Sequence, residues 1–239
     1  MSLSDFTARG NRATPERLPA PAPDLSLWWC TLARRDDEMP ALWAMLSPDE
    51  VARAGRFGTD ALRRRYVAGR AALRITLAER LGMAPKDVPI HRGPRGRPQL
   101  GAPHLLDFNV THTRGVALIA HLERPGARVG VDIENVDRSL AHDGLARKFL
   151  TDRERAAIAP LDDDARRRAF LRLWTCKEAM SKATGEGLSA PFGAIGIRTE
   201  RALAVAEGSG SYEPSLWTLH AVDIHAELLA TCAIWRQTA

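Results

Sequence analysis

The chain has 239 residues, of which 45% are hydrophobic and 26% charged, and its formal net charge is +5. This composition is typical of a soluble globular protein with a substantial core, and the length fits one large domain or two small ones. No apolar run is long enough to span a bilayer, and the N-terminus lacks the apolar stretch of a secretory signal. We therefore expect a cytoplasmic protein without membrane contact. The positive charge favours an acidic partner.

Residues 1–24 are rich in proline, alanine and arginine and show no apolar periodicity, which predicts a flexible extension. Ordered structure is expected to begin at Leu25, where LSLWWCTL has the composition of a strand. Further along, Ser47, Pro48 and Glu50 form the pattern of a capping box with proline at the first helical position. A helix should therefore start there.

The next helix has apolar residues that recur at steps of three and four, which predicts one buried stripe. The stripe comprises Leu62, Tyr66, Gly69, Leu73, Leu77 and Leu81. Arginines such as Arg70 and Arg74 lie off this stripe, and Gly82 should end the helix.

The three cysteines are odd in number, widely spaced and set among apolar residues. They are Cys30, Cys176 and Cys232. Neither disulfide nor metal-ligand spacing is present, so we expect reduced cysteines that pack in the core.

The remaining sequence alternates strands with one long helix. FNVTHTRGVALIAHL predicts a strand, a turn and a second strand, and RVGVDIENV predicts another strand because its apolar residues alternate. Residues 166–183 predict a long helix, and the final third predicts a closing antiparallel pair. We therefore predict an α+β fold of two similar subdomains, 25–124 and 125–239, related by a pseudo-twofold axis. In each, a long helix packs on a small antiparallel sheet.

Asp132 and Glu134 lie two apart in a predicted strand, so they project to one face while Val131 and Ile133 point into a core. Two close carboxylates repel one another unless a cation lies between them. Magnesium takes few protein oxygens and is usually held by carboxylates together with a phosphate ligand. A D-x-E pair is also common on an exposed strand face with solvated acids, and that alternative stays open.

The segment WTCKEAMSKATGEGL contains two of the chain's four lysines, Lys177 and Lys182, on either side of Glu178. Trp174, Glu178 and Lys182 are spaced by four, and an ordinary surface ion pair between Glu178 and Lys182 would explain this spacing. The tryptophan and the glycines that end the helix favour a partly buried cleft in which Glu178 faces the D-x-E pair. Lys177 borders the apolar stripe, and its role stays open between packing and phosphate contact.

Other residues have the chemistry of phosphate ligands. Thr111 and His112 fall at the predicted turn of FNVTHT, where a hydroxyl, an imidazole and turn amides could bind an anion. A single histidine is as commonly a structural hydrogen-bonding residue. Arg53, Arg65 and Arg97 come from segments of the same half, and the planar guanidinium suits phosphate recognition.

Taken together, FNVTHT, GVDIE and WTCKEAMSKATGEGL, in this order and at these separations, resemble the three signature motifs of the 4'-phosphopantetheinyl transferases of the surfactin-synthetase (Sfp) type. SPDEVARAGRF, RRRYVAGRAALR and GRPQL are weaker matches in the N-terminal half. Thr111 stands where the family more often has serine, and Arg97 stands where it more often has lysine.

The resemblance implies transfer of the 4'-phosphopantetheine arm from coenzyme A to a serine of an apo carrier protein, with release of adenosine 3',5'-bisphosphate. It also implies two similar α+β subdomains with coenzyme A in the cleft between them. Magnesium would be held by Asp132 and Glu178, with Glu134 a ligand directly or through water. Glu178 would accept the serine proton, and Lys182 would supply a cation and could supply a proton. Coenzyme A would be bound by Arg53, Arg65, Arg97, Thr111, His112, Lys177 and Lys182.

The expected partners are coenzyme A and acidic apo carrier domains of peptide, polyketide or fatty acid synthases, and we expect a monomer. A metal-dependent nuclease is the main alternative, because D-x-E, a third acid and a lysine can also cut a phosphodiester. Such sites usually take these groups from adjacent strands, whereas Glu178 and Lys182 are predicted on a helix. A basic nucleic-acid-binding protein is a third alternative, but only 6% of the residues are aromatic and no nucleic-acid-reading motif is present.

Overall fold

The computed structural model describes Leu3, Asp5, Thr7 and residues 14–101, 104–113, 115–138 and 142–237. The strands are β1 Glu16–Leu18, β2 Leu25–Thr31, β3 Ile90–Arg92, β4 Pro98–Leu100, β5 Asp107–Thr113, β6 Val116–Leu122, β7 Ala127–Asn135, β8 Gly196–Arg198, β9 Ala204–Glu207, β10 Trp217–Val222 and β11 Leu228–Arg236. The α-helices are α1 Met39–Trp43, α2 Pro48–Ala54, α3 Asp60–Leu81, α4 His142–Phe149, α5 Asp152–Ile158 and α6 Asp163–Thr184. Within the described ranges, no helix has the length and apolar character that crossing a membrane requires.

Two antiparallel sheets form the centre of the fold. The first has the strand order β1-β2-β6-β5 and the second the order β10-β11-β7. Their facing sides share one core, which includes Leu27, Leu118 and Val131. α3 packs on the outer face of the first sheet and α6 on the outer face of the second. The layers are therefore helix, sheet, sheet and helix, which confirms the predicted α+β class.

Each half of the chain supplies one of these sheets and its helix. The first sheet and α3 precede residue 123, and the second sheet and α6 follow residue 126. The predicted boundary between residues 124 and 125 lies in the loop from β6 to β7. The division into two subdomains remains a prediction.

Ordered structure begins earlier than predicted. β1 pairs with β2, with Arg17 opposite Trp28, and so adds an edge strand to the first sheet. Leu3 is buried in the core between the sheets, and its N–H donates to the carboxylate of Glu227 at 3.0 Å. The prediction that ordered structure begins at Leu25 is therefore wrong, while most of residues 1–13 lie outside the described ranges. A three-residue edge strand is held by backbone pairing, so it needs no apolar periodicity in the sequence.

α3 is buried on a wider face than the predicted stripe. Leu73 is buried as predicted, but Leu62 near the helix start is exposed. Arg74, predicted to lie off the stripe, is 2% exposed; its Nε donates to Glu50 at 2.5 Å and its Nη1 to the carbonyl of Pro85 at 2.7 Å. α2 and the segment after α3 cover this second side, and a buried guanidinium is tolerated there because its donors are paired.

The local signals for helix ends are confirmed. Ser47 caps α2 by accepting the N–H of Glu50, whose carboxylate accepts the N–H of Ser47 in return. Gly82 and Gly185 follow α3 and α6 with φ of 65° and 81°, in the left-handed region that glycine adopts most easily. The three cysteines are free and buried, as expected.

The two sheets also meet edge to edge along β5 and β7, where side chains take the place of a backbone ladder. Asp107 and Asn109 accept N–H groups of β7 at 2.7 and 3.0 Å. Thr111, the next alternate residue of β5, donates its hydroxyl to Asp132 at 3.2 Å. We call this line of contacts, from Asp107 through Asn109 to Thr111 with their partners on β7, the seam. Alternate residues of one strand thus fasten the first sheet to the second.

Candidate active site

The candidate site lies where α6 crosses β7 beside the seam. Gly130 allows the helix to come this close, because a Cβ there would lie 1.9 Å from the carbonyl oxygen of Ala179 and 2.7 Å from the backbone nitrogen of Ala183. Even-numbered residues of β7 face the helix, while odd-numbered ones enter the core between the sheets. Asp132 and Glu134 therefore project together on the side of α6, as predicted.

Lys182 and Asp132 form the centre of the site. Lys182 Nζ lies 2.6 Å from Asp132 Oδ1, and it donates to Thr111 Oγ1 at 3.0 Å and to the carbonyl of Val131 at 3.2 Å. Lys182 therefore forms its ion pair with Asp132 of β7, in the second sheet. It does not form the ordinary surface pair with Glu178. Through Thr111, this lysine also connects α6 to the first sheet.

Glu134 is buried beside this pair. Arg138, four residues further along the chain, forms an ion pair with its carboxylate. The indole N–H of Trp174 lies close enough to favour the charged form as well, but burial and repulsion from Asp132 outweigh both and raise the pKa of Glu134. Because Asp132 and Glu134 are only 5% and 7% exposed, the alternative of a strand face with solvated acids is wrong.

Glu178 lies on α6 one turn before Lys182 and is partly buried. Burial raises the pKa of its carboxyl, the Lys182 ammonium lowers it, and the charges of Asp132 and Glu134 raise it again, with a net rise. The three carboxyls and Lys182 therefore form one electrostatic cluster, in which the acids of β7 face the side of α6 that carries Trp174, Glu178 and Lys182. A carboxylate with a raised pKa is a suitable acceptor for a proton.

The oxygens of this cluster suit a hard divalent cation. Asp132 Oδ2 is buried and has no hydrogen-bond partner, a costly state for a carboxylate oxygen unless a cation or water binds it. Among the residues the structure describes, no three acidic, imidazole or thiol side chains are arranged to hold an ion as they stand. Lys182 and Arg138 already neutralise Asp132 and Glu134. The chemistry of Asp132, Glu134 and Glu178 fits magnesium, which prefers carboxylate oxygens.

The other predicted phosphate ligands lie on separate elements of the first half. Thr111 and His112 both lie in β5 and not at the turn, so their side chains point to opposite sides of the strand. Thr111 is buried in the seam, whereas His112 is exposed. Arg53 and Arg65 are exposed on α2 and α3, and the guanidinium of Arg53 lies 5.8 Å from the ring centre of Tyr66. The role of these residues in binding a ligand stays a prediction.

Lys177 does not contact a ligand site. It is 0% exposed, and its Nζ lies 2.6 Å from Glu154 Oε2 and donates to the carbonyls of Phe149 and Phe192 at 2.8 and 2.9 Å. The three N–H groups of the ammonium therefore have acceptors inside the protein. Successive helical residues point about 100° apart, so Lys177 enters the core of the second half while Glu178 faces β7. This corrects the prediction that Lys177 binds coenzyme A.

Replacing Lys177 by methionine should lower the free energy of unfolding by about 3–5 kcal/mol, the usual cost of removing one partner of a buried ion pair. Glu154 would remain buried without its cation, together with two unpaired carbonyls. Urea unfolding measures the loss, and adding Glu154→Gln in a double variant should recover part of it. If the single variant is as stable as the wild type but loses affinity for coenzyme A, the burial argument is wrong.

Arg97 is also engaged by the protein. It is 8% exposed, and its guanidinium forms two hydrogen bonds with the carboxylate of Asp107, at 2.9 and 2.7 Å. Its other donors reach main-chain carbonyls of β4, β5, β7 and α6. This arrangement leaves no N–H group of Arg97 for the predicted contact with a phosphate.

The sequence interpretation missed several residues of the site and the seam. Asp107 and Asn109 carry a usable signal, because D-x-N-x-T places three polar residues on one side of a strand. Gly130 carries another, since a glycine inside a strand often marks close backbone approach. The sequence gives no local signal for Arg138, because its pairing with Glu134 depends on the conformation of the chain after β7.

Comparison with known proteins agrees with the motifs. Residues 128–233 match the 4'-phosphopantetheinyl transferase superfamily, and residues 33–123 match a family described as 4'-phosphopantetheinyl transferase, N-terminal. The 4'-phosphopantetheinyl transferase HetI of Nostoc sp. is 36% identical over 178 residues, which cover 73% of this chain and 74% of that protein. The 4'-phosphopantetheinyl transferase Sfp of Bacillus subtilis is 24% identical over 164 residues, covering 68% and 70%. A holo-(acyl-carrier-protein) synthase from Bacillus anthracis, solved in complex with CoA (3',5'-ADP), aligns with 46% of this chain and 96% of its own, at 21% identity and a TM-score of 0.38.

A carboxylate cluster beside a fixed lysine has the chemistry of an enzyme that transfers a phosphoryl group. The chain belongs to the 4'-phosphopantetheinyl transferase superfamily. The enzyme class predicted from the three motifs is thereby confirmed, and the nuclease and nucleic-acid-binding alternatives are set aside. The N-terminal family match ends at residue 123, and the superfamily match begins at residue 128. The loop between β6 and β7 lies between them.

Proposed function

We propose that this transferase moves the 4'-phosphopantetheine arm of coenzyme A to a serine hydroxyl of an apo carrier protein domain and releases adenosine 3',5'-bisphosphate. The cluster of Asp132, Glu178 and Lys182 at the seam carries the proposal. It combines oxygen ligands for a cation, a proton acceptor and a fixed positive charge, and these are the groups that such a transfer requires.

Magnesium is the cation that we propose for this site. Its ligands would be Asp132, through the unpartnered Oδ2, and Glu178, with Glu134 a ligand directly or through water. The diphosphate of coenzyme A would complete the set. When bound, the ion would neutralise charge on the diphosphate and polarise the bond that breaks. Burial raises the pKa of both Glu134 and Glu178, and the neighbouring carboxylates raise it further; a cation between these carboxylates would relieve their repulsion, which supports this assignment.

In the proposed reaction the serine oxygen attacks the phosphorus that bears the pantetheine arm. The bond from this phosphorus to the bridging oxygen breaks, and that oxygen leaves with the adenosine bisphosphate. Glu178 accepts the serine proton. Lys182 opposes the charge on the leaving phosphate, and its bonds to Asp132 and Thr111 hold the ammonium in place before substrate binds.

Coenzyme A is proposed to lie between the two halves, against the exposed side of the first. Arg53, Arg65 and His112 are exposed there, so their side chains are accessible to the nucleotide phosphates and adenine. The hydroxyl of Thr111 lies at the seam, next to Lys182, and donates to Asp132; on binding it would exchange Asp132 for a diphosphate oxygen as its acceptor.

The proposed protein partners are acidic carrier domains. The net charge of +5 favours encounter with such a partner, and the sequence similarity to Sfp supports the Sfp type within the superfamily. The proposed partners include the carrier domains of peptide, polyketide and fatty acid synthases. We expect the enzyme to act as a monomer.

The direct test is to incubate the protein with magnesium, coenzyme A and several apo carrier domains and to measure the mass of each carrier. We expect at least one carrier to gain one phosphopantetheine arm, and none to do so when its acceptor serine is replaced by alanine or when EDTA is present. No gain with any carrier would overturn the proposal. Coenzyme A should also raise the melting temperature more with magnesium than without it, because a ligand that binds only the folded state stabilises that state.

A further inference from the structure

Arg97 joins four segments that meet at the seam. Its Nε donates to the carbonyl of Lys182 on α6 at 2.8 Å, and its Nη2 donates to the carbonyl of Val129 on β7 at 2.8 Å and to that of Phe108 on β5 at 3.2 Å. The two terminal nitrogens also hold both oxygens of Asp107. With the carbonyl of Pro98 at 3.4 Å, six acceptors surround the five N–H groups of this guanidinium.

Asp107 completes the connection from the other side. Its Oδ2 accepts the N–H of Val129 at 2.7 Å while it accepts from Arg97. The N–H and the carbonyl of one residue of β7 are thus both held by the Arg97–Asp107 pair. This fixes how β7 is placed along β5, and with it the relative position of the two sheets.

The same pair controls the location of Lys182. Arg97 holds the main-chain carbonyl of Lys182, while Asp132 and Thr111 hold its ammonium. The stem of Arg97 also lies against the end of α6, since a Cβ at Gly185 would be 3.5 Å from its Cβ and Cδ. Both ends of this lysine are therefore set by contacts across the seam.

We propose that Arg97, paired with Asp107, is a positioning residue that sets the register of the two sheets and the place of Lys182, and that it does not bind coenzyme A. The proposal rests on the transferase activity proposed above. It replaces the ligand role that the resemblance implied for Arg97. A buried guanidinium with every donor used inside the protein has no donor left for a phosphate.

Arg97→Lys distinguishes a positioning role from coenzyme A binding, because it keeps the positive charge and removes the planar guanidinium. A lysine has three donors on one nitrogen and cannot span the four segments. For a positioning role we expect kcat to fall about tenfold or more, since misplacement of a reacting group by about 1 Å can cost about 10²-fold. KM for coenzyme A and the Kd of adenosine 3',5'-bisphosphate, measured by calorimetry, should change by less than about twofold. Asp107→Asn should reproduce this pattern.

The matched control is Arg124→Lys. Arg124 also forms a two-bond pair with an aspartate, Asp24, at 2.5 and 2.9 Å, but in the first half and without contact to Lys182 or the seam. Its kcat should equal that of the wild type. In Arg97→Lys, amide hydrogen exchange at Val129 should accelerate, while in the control it should not.

A rise in KM and in the Kd of adenosine 3',5'-bisphosphate with unchanged kcat would overturn the proposal in favour of ligand binding. An equal loss of kcat in Arg124→Lys would also overturn it, because general loss of stability would then explain both variants. Wild-type protein that transfers no arm to any carrier would refute the proposed function itself. The exchange rate at Val129 would still show whether Arg97 holds β7.

Discussion

Replacing Glu178 by glutamine is expected to lower the rate of arm transfer by at least about 10³-fold, while coenzyme A still binds. Loss of a general base alone costs about 10²–10⁴-fold, and here a proposed metal ligand is lost with it. Glutamine keeps the shape of the side chain, so the bonds from Lys182 to Asp132 and Thr111 should persist. Single-turnover transfer, followed by the mass of the carrier, measures the rate, and calorimetry measures the affinity for coenzyme A.

The same substitution should stabilise the protein when no magnesium is present. Burial raises the pKa of Glu178 in the folded protein above its value in the unfolded chain. As pH rises through the unfolded pKa and then the folded one, the unfolded chain ionises first, so the folded state loses stability across that interval. Above the folded pKa the whole penalty remains, and an amide does not incur it. Glu178→Gln should therefore melt higher than the wild type in EDTA at pH 7.5, with the difference disappearing at pH values below the unfolded pKa.

Glu200→Gln is the control for this pair of measurements, because Glu200 is exposed and lies outside the cluster. It should leave both transfer and melting temperature unchanged. Transfer by Glu178→Gln within tenfold of the wild type would rule out the role of Glu178 as proton acceptor. A lower melting temperature of this variant in EDTA would show that Glu178 stabilises the metal-free fold, contrary to the direction of its pKa.

The sequence predicted the elements whose signals are local. The capping box at Ser47, the glycines that end α3 and α6, and the alternation in β7 all depend on neighbours within a few residues, and the structure has each of them. Periodicity also told which side of β7 the D-x-E acids occupy and which side of α6 Glu178 and Lys182 occupy. That these two sides face each other was implied by the resemblance to the transferase family, because periodicity does not tell which elements pack together.

Residues whose roles depend on distant partners could not be assigned in this way. Lys177 is neutralised by Glu154, 23 residues away, and Arg97, in the loop before β4, by Asp107 on β5. A basic side chain looks the same in sequence whether it meets a buried carboxylate or a phosphate. Composition and motif position therefore assigned Lys177 and Arg97 to the ligand, while the fold uses both for internal ion pairs.

The two lysines of the α6 motif show the same distinction within a single helix. Lys177 enters a core where its ammonium has three protein acceptors, and Lys182 crosses to Asp132 at the seam. Burial lowers the pKa of Lys177, because the ammonium is removed from water, even though the Glu154 carboxylate raises it. Lys182 also has three protein acceptors, but its side chain is 27% exposed while that of Lys177 is 0% exposed, so of these two lysines only Lys182 is accessible from solvent.

Gly130→Ala should displace α6 from β7 and destabilise the protein. The added Cβ would lie 1.9 Å from the carbonyl oxygen of Ala179, and this contact is with backbone, which cannot rotate away. α6 must therefore move off β7. Overpacking costs about 1–3 kcal/mol or more, and each kcal/mol corresponds to about 2–4 °C in a chain of this size. We expect the melting temperature to fall by about 2–12 °C.

The displacement of α6 should also reduce catalysis, because it separates Glu178 and Lys182 from Asp132. A shift of about 1 Å can cost about 10²-fold in rate, so kcat of the folded fraction should fall by about that factor. Gly58→Ala is the control, since a Cβ at Gly58 would meet nothing within 4 Å. Calorimetric melting and transfer measured well below the melting temperature test both effects. If Gly130→Ala melts and reacts like the control, close contact between α6 and β7 is not what assembles the site; if only the melting temperature falls, the contact supports the fold but does not set the distance between Lys182 and Asp132.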